Sequence, residues 1–140
     1  MKHFCKAAAV VVACSILAIG QNKAYQQDAH WRAPDAAVSR ANPLADTPDA
    51  ARGGRKLFLR NCAECHGKDG AGMASKHSAD LQLGVVQGQS DGALFWKMTN
   101  GNARKGMPSF SRLPELQRWQ LVLHIRTLKA AGSATADPGK

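Results

Sequence analysis

The sequence predicts an all-α domain, and two features of its residue pattern support this fold class. Apolar residues recur at helical spacing in three segments, and no segment alternates apolar and polar residues as a half-buried strand would. Hydrophobic residues make up 44% of the 140 residues and charged residues 21%, which is ordinary for a globular domain. We therefore expect a small helical fold of about three to five helices.

The first helix is predicted from Pro48 to about Cys62. The residues just before and at its start, Thr47 to Asp49, supply a capping side chain, a proline suited to the first helical position and an acidic group that favours the positive helix end. Gly53 and Gly54 lie inside this helix, where each glycine costs about 1 kcal/mol relative to alanine. A close contact with another helix is the expected reason for the pair.

Two further helices complete the predicted domain, which spans residues 48–130. The second runs from Ser90 to Asn100, with Ser90 as its cap, and the third runs from Pro114 to Ala130 with a broad apolar stripe. A domain of this size has a marginal core, and small domains commonly add a metal or another covalent support. The length of the domain therefore makes a large buried cofactor plausible.

Residues 1–20 are predicted to be an export signal. Basic residues precede an apolar run from Ala7 to Gly20, which is too short for an ordinary membrane span and typical of a signal peptide. We expect cleavage after Gly20, with cleavage after Ala24 as an alternative. The expected location is the periplasm, as a soluble protein. An uncleaved anchor and lipid attachment at Cys14 are the minority alternatives.

The segments that flank the domain carry no apolar period. Residues 21–47 are predicted to be an extended linker or arm, in which only Trp31 suggests contact with the domain surface, and residues 131–140 a disordered tail. The formal net charge of +9 favours acidic partners. Because the basic residues are scattered and not interleaved with aromatic residues, the sequence does not favour nucleic-acid binding.

The chemistry is predicted to lie in the motif from Cys62 to His66, which reads Cys-Ala-Glu-Cys-His. Cys62 and Cys65 are three residues apart and share one side of a helical turn, so that both sulfurs can form thioethers with the two vinyl groups of one haem. His66 follows directly and can bind the iron from one face. Cys-x-x-Cys-His is the attachment pattern for one covalent haem c.

Three other interpretations of the motif are weaker. A zinc site needs four protein ligands, and the chain after the export signal has no second cysteine pair. A redox-active Cys-x-x-Cys belongs beside a strand–helix–strand pattern, which is missing. A structural disulfide would give no role to His66. The motif therefore predicts haem attachment.

The second face of the iron has several candidate ligands in the sequence. Met107 is favoured because it lies in a loop between Gly106 and Pro108, where glycine frees the backbone and proline stiffens it. Met98 is expected to fill the core instead. A thioether suits haem iron, and His/Met ligation is typical of electron-transfer cytochromes. The remaining candidates are Met73, His77 and His124.

The chain resembles the class I c-type cytochromes, in particular the bacterial single-haem cytochrome c domain. The resemblance implies a small cytochrome c fold wrapped around one covalently bound haem, with Met107 as the distal iron ligand. It also implies that the first and last helices cross where Gly53 or Gly54 meets Trp119. The segments that carry the resemblance are residues 62–67, 91–96, 101–110 and 118–128.

One feature departs from the family pattern. In the family, a proline soon after the haem motif offers its carbonyl to the second nitrogen of the axial histidine. The segment from Gly70 to Ala74 contains no proline, so the sequence leaves the partner of His66 unassigned, although some backbone carbonyl is expected to serve.

The expected function is one-electron transfer between exported redox partner proteins, by a monomer that is not itself an enzyme. An alternative is an electron-accepting cytochrome subunit of a larger dehydrogenase or oxidase complex, associated with a membrane complex through the arm. A third is a haem enzyme or gas sensor with an open iron site, which the sequence supports less because it lacks a histidine or arginine cluster for peroxide chemistry.

Overall fold

The computed structural model describes residues 27–45 and 47–129, and within these ranges it consists of helices, turns and loops without a β-strand. The all-α fold class is confirmed. The predicted export signal and the predicted tail lie outside the described residues. The α-helices are α1 Asp35–Val38, α2 Ala50–Asn61, α3 Ala63–His66, α4 Gly84–Gln87, α5 Asp91–Asn100 and α6 Glu115–Thr127, with short 3₁₀ turns at Ala74–Lys76 and Ala103–Lys105.

The three long helices lie where the sequence predicted them, with differences at their ends. At α5 the hydroxyl of Ser90 accepts a hydrogen bond from the N–H of Ala93 at 3.1 Å, which confirms the predicted cap. At α2 the predicted start at Pro48 is two residues too early, because Asp49 occupies the capping position and no side chain caps the helix.

Helices α2 and α6 cross at Gly54, and their backbones touch there. A Cβ atom placed on Gly54 would lie 1.9 Å from the carbonyl oxygen of Gln120 and 3.0 Å from the Cβ of His124. The predicted helix crossing is therefore present, but its nearest partner is the backbone of Gln120 and not Trp119. Trp119 instead stacks on Phe95, with ring centroids 4.0 Å apart.

Replacing Gly54 with alanine is expected to destabilise the protein by about 3 kcal/mol, the upper end of the usual cost of overpacking. The added methyl group meets backbone, so the helices themselves would have to separate. Gly84→Ala is the matched control, because a Cβ there meets nothing within 4 Å. Urea unfolding of the haem-loaded protein measures both, and equal midpoints for the two variants would contradict the described crossing.

His124 lies buried in the same helix crossing. Its ring meets the edge of Phe58 with centroids 5.0 Å apart, and its Nε2 atom has no hydrogen-bond partner within the described residues. Burial, followed by repulsion from the positive charge of Arg55, lowers the pKa of His124. The folded protein therefore disfavours a charged imidazole at this position.

Because the unfolded chain binds a proton at His124 more readily, stability is expected to fall as the pH drops below about 6.5, the ordinary histidine value. His124→Gln should make the free energy of unfolding depend less steeply on pH between about 7 and 5. The measurement is denaturant unfolding of wild type and His124→Gln across this pH range, and identical slopes in the two proteins would refute the role of His124.

The core lies between the long helices and borders the cavity that Cys62, Cys65 and His66 line. Met98 is 4% exposed and belongs to this core, which confirms the packing role predicted for it. The buried apolar side chains of the cluster are Phe58, Val86, Leu94, Phe95, Met98, Trp119, Leu121, Val122 and Ile125.

Residues 27–45 pack on the helical domain. The sequence has no apolar period in this segment, so this packing was not predicted beyond Trp31. The side-chain amide of Asn42 donates to the carbonyl of Trp119 at 3.2 Å, and the hydroxyl of Ser90 donates to the carbonyl of Val38 at 2.7 Å. Arg40 forms an ion pair of 2.6 Å with Glu115. The domain boundary at residue 48 stays a prediction.

Candidate functional site

The haem motif occupies a single helical turn that follows α2 almost directly. Cys62 lies at the junction of α2 and α3, and α3 carries Cys65 and His66. Cys62 and Cys65 are half-buried and are not joined by a disulfide. The rigid helix α2 thus fixes the direction in which both sulfurs and the imidazole project.

All four predicted site residues, Cys62, Cys65, His66 and Met107, line one cavity. Its empty volume is about 1300 Å³, which includes the part open to solvent, and its lining is mainly apolar. A large, flat, mainly apolar cofactor fits such a lining. Apolar side chains on the walls include Phe58, Leu81, Leu83, Leu94, Met98 and Phe110.

The imidazole of His66 is oriented by a backbone carbonyl. Its Nδ1 atom lies 3.0 Å from the carbonyl oxygen of Ala79, which can only accept, so Nδ1 carries the proton and Nε2 is left free to bind a metal. Burial lowers the pKa of His66, although the hydrogen bond to Ala79 opposes that shift. Burial thus favours the neutral imidazole, which is the form that binds iron.

Ser78 connects the segment before Ala79 to the haem motif. Its hydroxyl donates to the carbonyl of Cys65 and accepts from the N–H of Met73 at 2.8 Å. Sequence reasoning did not identify Ser78 or Ala79. The reason is physical, since the group that orients His66 is a backbone carbonyl, which every residue type carries.

Met107 reaches the cavity from the loop between α5 and α6. It is half-buried, and its backbone pairs with Asn102 in both directions, with N···O distances of 2.9 and 3.0 Å. This loop is far along the chain from the haem motif, and it brings the thioether to the cavity on a separate element from His66.

The other candidate ligands fit less well. Met98 lines the cavity but is packed into the core, and His77 is exposed in the segment beside the haem motif. Met73 is an exposed side chain, and His124 lies in the helix crossing; neither is among the residues that line the cavity.

The thiol of Cys62 is unsuited to thiolate chemistry. Burial, with a smaller contribution from the neighbouring Cys65, raises the pKa of Cys62 to about 12. Redox-active and metal-binding cysteines depend on the thiolate, which a low pKa supplies. This environment disfavours the dithiol and zinc interpretations of the motif.

An all-α domain with this motif and this cavity is a c-type cytochrome domain, which binds haem c covalently. A comparison with protein-family models matches residues 49–125 to the family described as cytochrome c oxidase, cbb3-type, subunit III, and the chain belongs to that family. The predicted resemblance to bacterial c-type cytochromes and the predicted haem c cofactor are confirmed.

Among curated proteins, the chain is similar to the cbb3-type cytochrome c oxidase subunit FixP of Azorhizobium caulinodans, with 34% identity over 85 residues. The match covers 59% of this chain and 28% of that relative, so the chain spans under a third of its length. No solved structure was found to match. These comparisons agree better with an oxidase component than with the free carrier predicted first.

Within the described part of the chain, no helix has both the length and the apolar character that a membrane crossing requires.

Proposed function

We propose that this chain is an electron-accepting cytochrome component of a cbb3-type oxidase complex on the exported side of the membrane. Haem c, when bound, supplies reversible one-electron chemistry. The observation that carries the proposal is the meeting of Cys62, Cys65, His66 and Met107 in one cavity. The family match and the FixP relative support the oxidase as the partner.

Cys62 and Cys65 hold the cofactor by thioether bonds. Because they flank one helical turn at the end of α2, they fix the cofactor relative to the helix that forms the α2–α6 crossing. His66 projects from the same turn.

His66 and Met107 are the proposed axial ligands. The carbonyl of Ala79 orients His66 through its Nδ1 proton. The loop between α5 and α6 carries Met107, whose soft sulfur would bind the iron. If His66 and Met107 both hold the iron, the bound haem would offer no open position to oxygen or peroxide. This ligation favours electron transfer over catalysis at this haem.

Two exposed basic side chains, Lys76 and Lys105, line the cavity, and Lys76 forms an ion pair of 3.6 Å with Glu64. We place these two lysines at the mouth of the cavity and propose that they make it basic. Such a mouth attracts an acidic partner surface and speeds encounter at low ionic strength. An acidic docking site on the oxidase core is the complementary partner.

The test is whether the haem-loaded full chain stays with the oxidase. The tagged chain is produced in a host that matures c-type cytochromes and makes a cbb3 oxidase core, and gel filtration in mild detergent follows its haem absorption. Co-elution with the core is the expected result. Elution at the size of a monomer under all salt conditions would refute the subunit proposal in favour of a free carrier.

Charge reversal at the mouth gives a matched comparison. Lys76→Glu with Lys105→Glu should weaken association at low salt, while Arg52→Glu with Lys56→Glu, exposed on α2 and outside the cavity lining, should not. Equal weakening by both pairs would mean that net charge alone acts, and that the mouth is not the docking site.

A further inference from the structure

Two residues of the arm, Asp28 and Trp31, form hydrogen bonds with the loop that carries Met107. The indole Nε1 of Trp31 donates to the carbonyl of Gly101 at 2.9 Å. A carboxylate oxygen of Asp28 accepts from the side-chain amide of Asn102 at 3.2 Å and from Arg104, also at 3.2 Å. These contacts join residues that are 70 to 76 positions apart in the chain.

The loop itself is tightly built around these contact points. Gly101 has φ +67°, and a Cβ there would lie 2.5 Å from the backbone of Pro108, so only glycine suits the position. Asn102 pairs with Met107 through both backbone groups. Asn102, which the arm holds through Asp28, is therefore also the residue that holds the backbone of Met107.

Asn102 makes the link energetically significant. It is 7% exposed, so its side-chain amide donor would be left without a partner in the interior if Asp28 were removed. Hydrogen bonds to a charged carboxylate are also stronger than those between neutral groups. The contact with Asp28 thus stabilises the closed form of the loop.

The arm is itself fixed at this point by α5. The ammonium group of Lys97, on α5, lies 4.8 Å from the centre of the Trp31 ring, within the range of a cation–π contact. Lys97 is buried, and both residues line the cavity. The indole is held between α5 and the loop, so it cannot move away freely.

From these contacts we infer that Asp28 and Trp31 are positioning residues, which hold the Met107 loop closed and so slow the departure of the Met107 thioether from the iron. The inference rests on the proposed function, in which Met107 is the distal ligand. A ligand on a loop held in its bound conformation leaves less often, because opening must break the contacts that fix the loop.

The experiment measures how fast the ferric, haem-loaded full chain takes up imidazole, which must displace the distal ligand. Trp31→Phe keeps an aromatic ring and removes the N–H donor, and Asp28→Ala removes the oxygen that accepts from both Asn102 and Arg104. Trp31→Phe is expected to speed uptake by about two-fold to ten-fold, the range that the loss of one hydrogen bond gives, and Asp28→Ala by at least as much, because it removes two. Asp28→Asn keeps an oxygen acceptor for Asn102 and should lie between Asp28→Ala and wild type.

The control loosens the arm away from the loop. Glu115→Gln, at the start of α6, removes the ion pair with Arg40 of the arm, and the uptake rate should stay at the wild-type value. Amide hydrogen exchange gives a second readout, since the N–H groups of Asn102 and Met107 should exchange faster in Trp31→Phe but not in Glu115→Gln. If Glu115→Gln speeds uptake as much as Trp31→Phe, the effect is general loosening and the inference is overturned.

Met107→Ala separates failure of this inference from failure of the proposed function. It should take up imidazole faster than the arm variants do, and adding Asp28→Ala to it should change nothing more. If Met107→Ala takes up imidazole at the wild-type rate, the assignment of Met107 as the distal ligand is overturned. Fast uptake by Met107→Ala together with wild-type rates in Trp31→Phe and Asp28→Ala would overturn only the positioning role of the arm.

Discussion

Met107→Ala is expected to lower the reduction potential and open one coordination position of the iron while the haem stays covalently attached. A thioether is a weak donor that favours ferrous iron, so its loss favours the ferric state. The variant should lose the far-red absorption that the cytochrome resemblance associates with a sulfur–iron bond, and become partly high-spin. Visible spectroscopy and a redox titration measure these effects.

The other methionines supply the controls for this result. Met73→Ala changes an exposed side chain that does not line the cavity, so its spectrum should match the wild type. Met98→Ala should also keep the spectrum but destabilise the fold by about 2–5 kcal/mol, because Met98 is 4% exposed in the core. If the far-red absorption is lost in Met98→Ala and kept in Met107→Ala, the distal ligand is Met98 and not Met107.

Replacing both motif cysteines is expected to abolish covalent haem attachment. In the double variant Cys62→Ala, Cys65→Ala, acidified acetone should extract all haem, and the intact mass should lack the increment of one haem. The double variant should also fold poorly. Haem binds the native state and not the unfolded chain, so its loss removes stabilisation on which the small core depends.

The matched control is Ala63→Ser, which changes the turn between the two cysteines and leaves both sulfurs in place. It should retain the haem through acid extraction and melt close to the wild type. A double cysteine variant that folds as well as Ala63→Ser without haem would show that the cofactor does not support the core.

The elements predicted well are those that local sequence determines. Ser90 caps α5 through its own side chain, and a periodic apolar stripe specifies α6 whatever lies around it. The haem motif is likewise local, because Cys62, Cys65 and His66 are fixed relative to one another by one helical turn. Such features need no knowledge of the rest of the fold.

The contacts that sequence analysis missed depend on residues distant in the chain. Asp28 and Asn42 bind the domain through single polar groups, and isolated polar residues leave no periodic pattern. The carbonyl of Ala79 orients His66, yet a carbonyl is independent of residue type. At the helix crossing the glycines predicted a close approach but could not specify that Gln120 would face Gly54.

We propose that the chain holds one haem c whose iron has protein ligands on both faces. The most direct measurement is the visible spectrum of the wild-type ferrous protein before and after carbon monoxide is added. A filled sixth position predicts a spectrum that carbon monoxide leaves almost unchanged. Ready formation of a carbon monoxide complex would show an open position, and would contradict the assignment of Met107 and the electron-transfer function built on it.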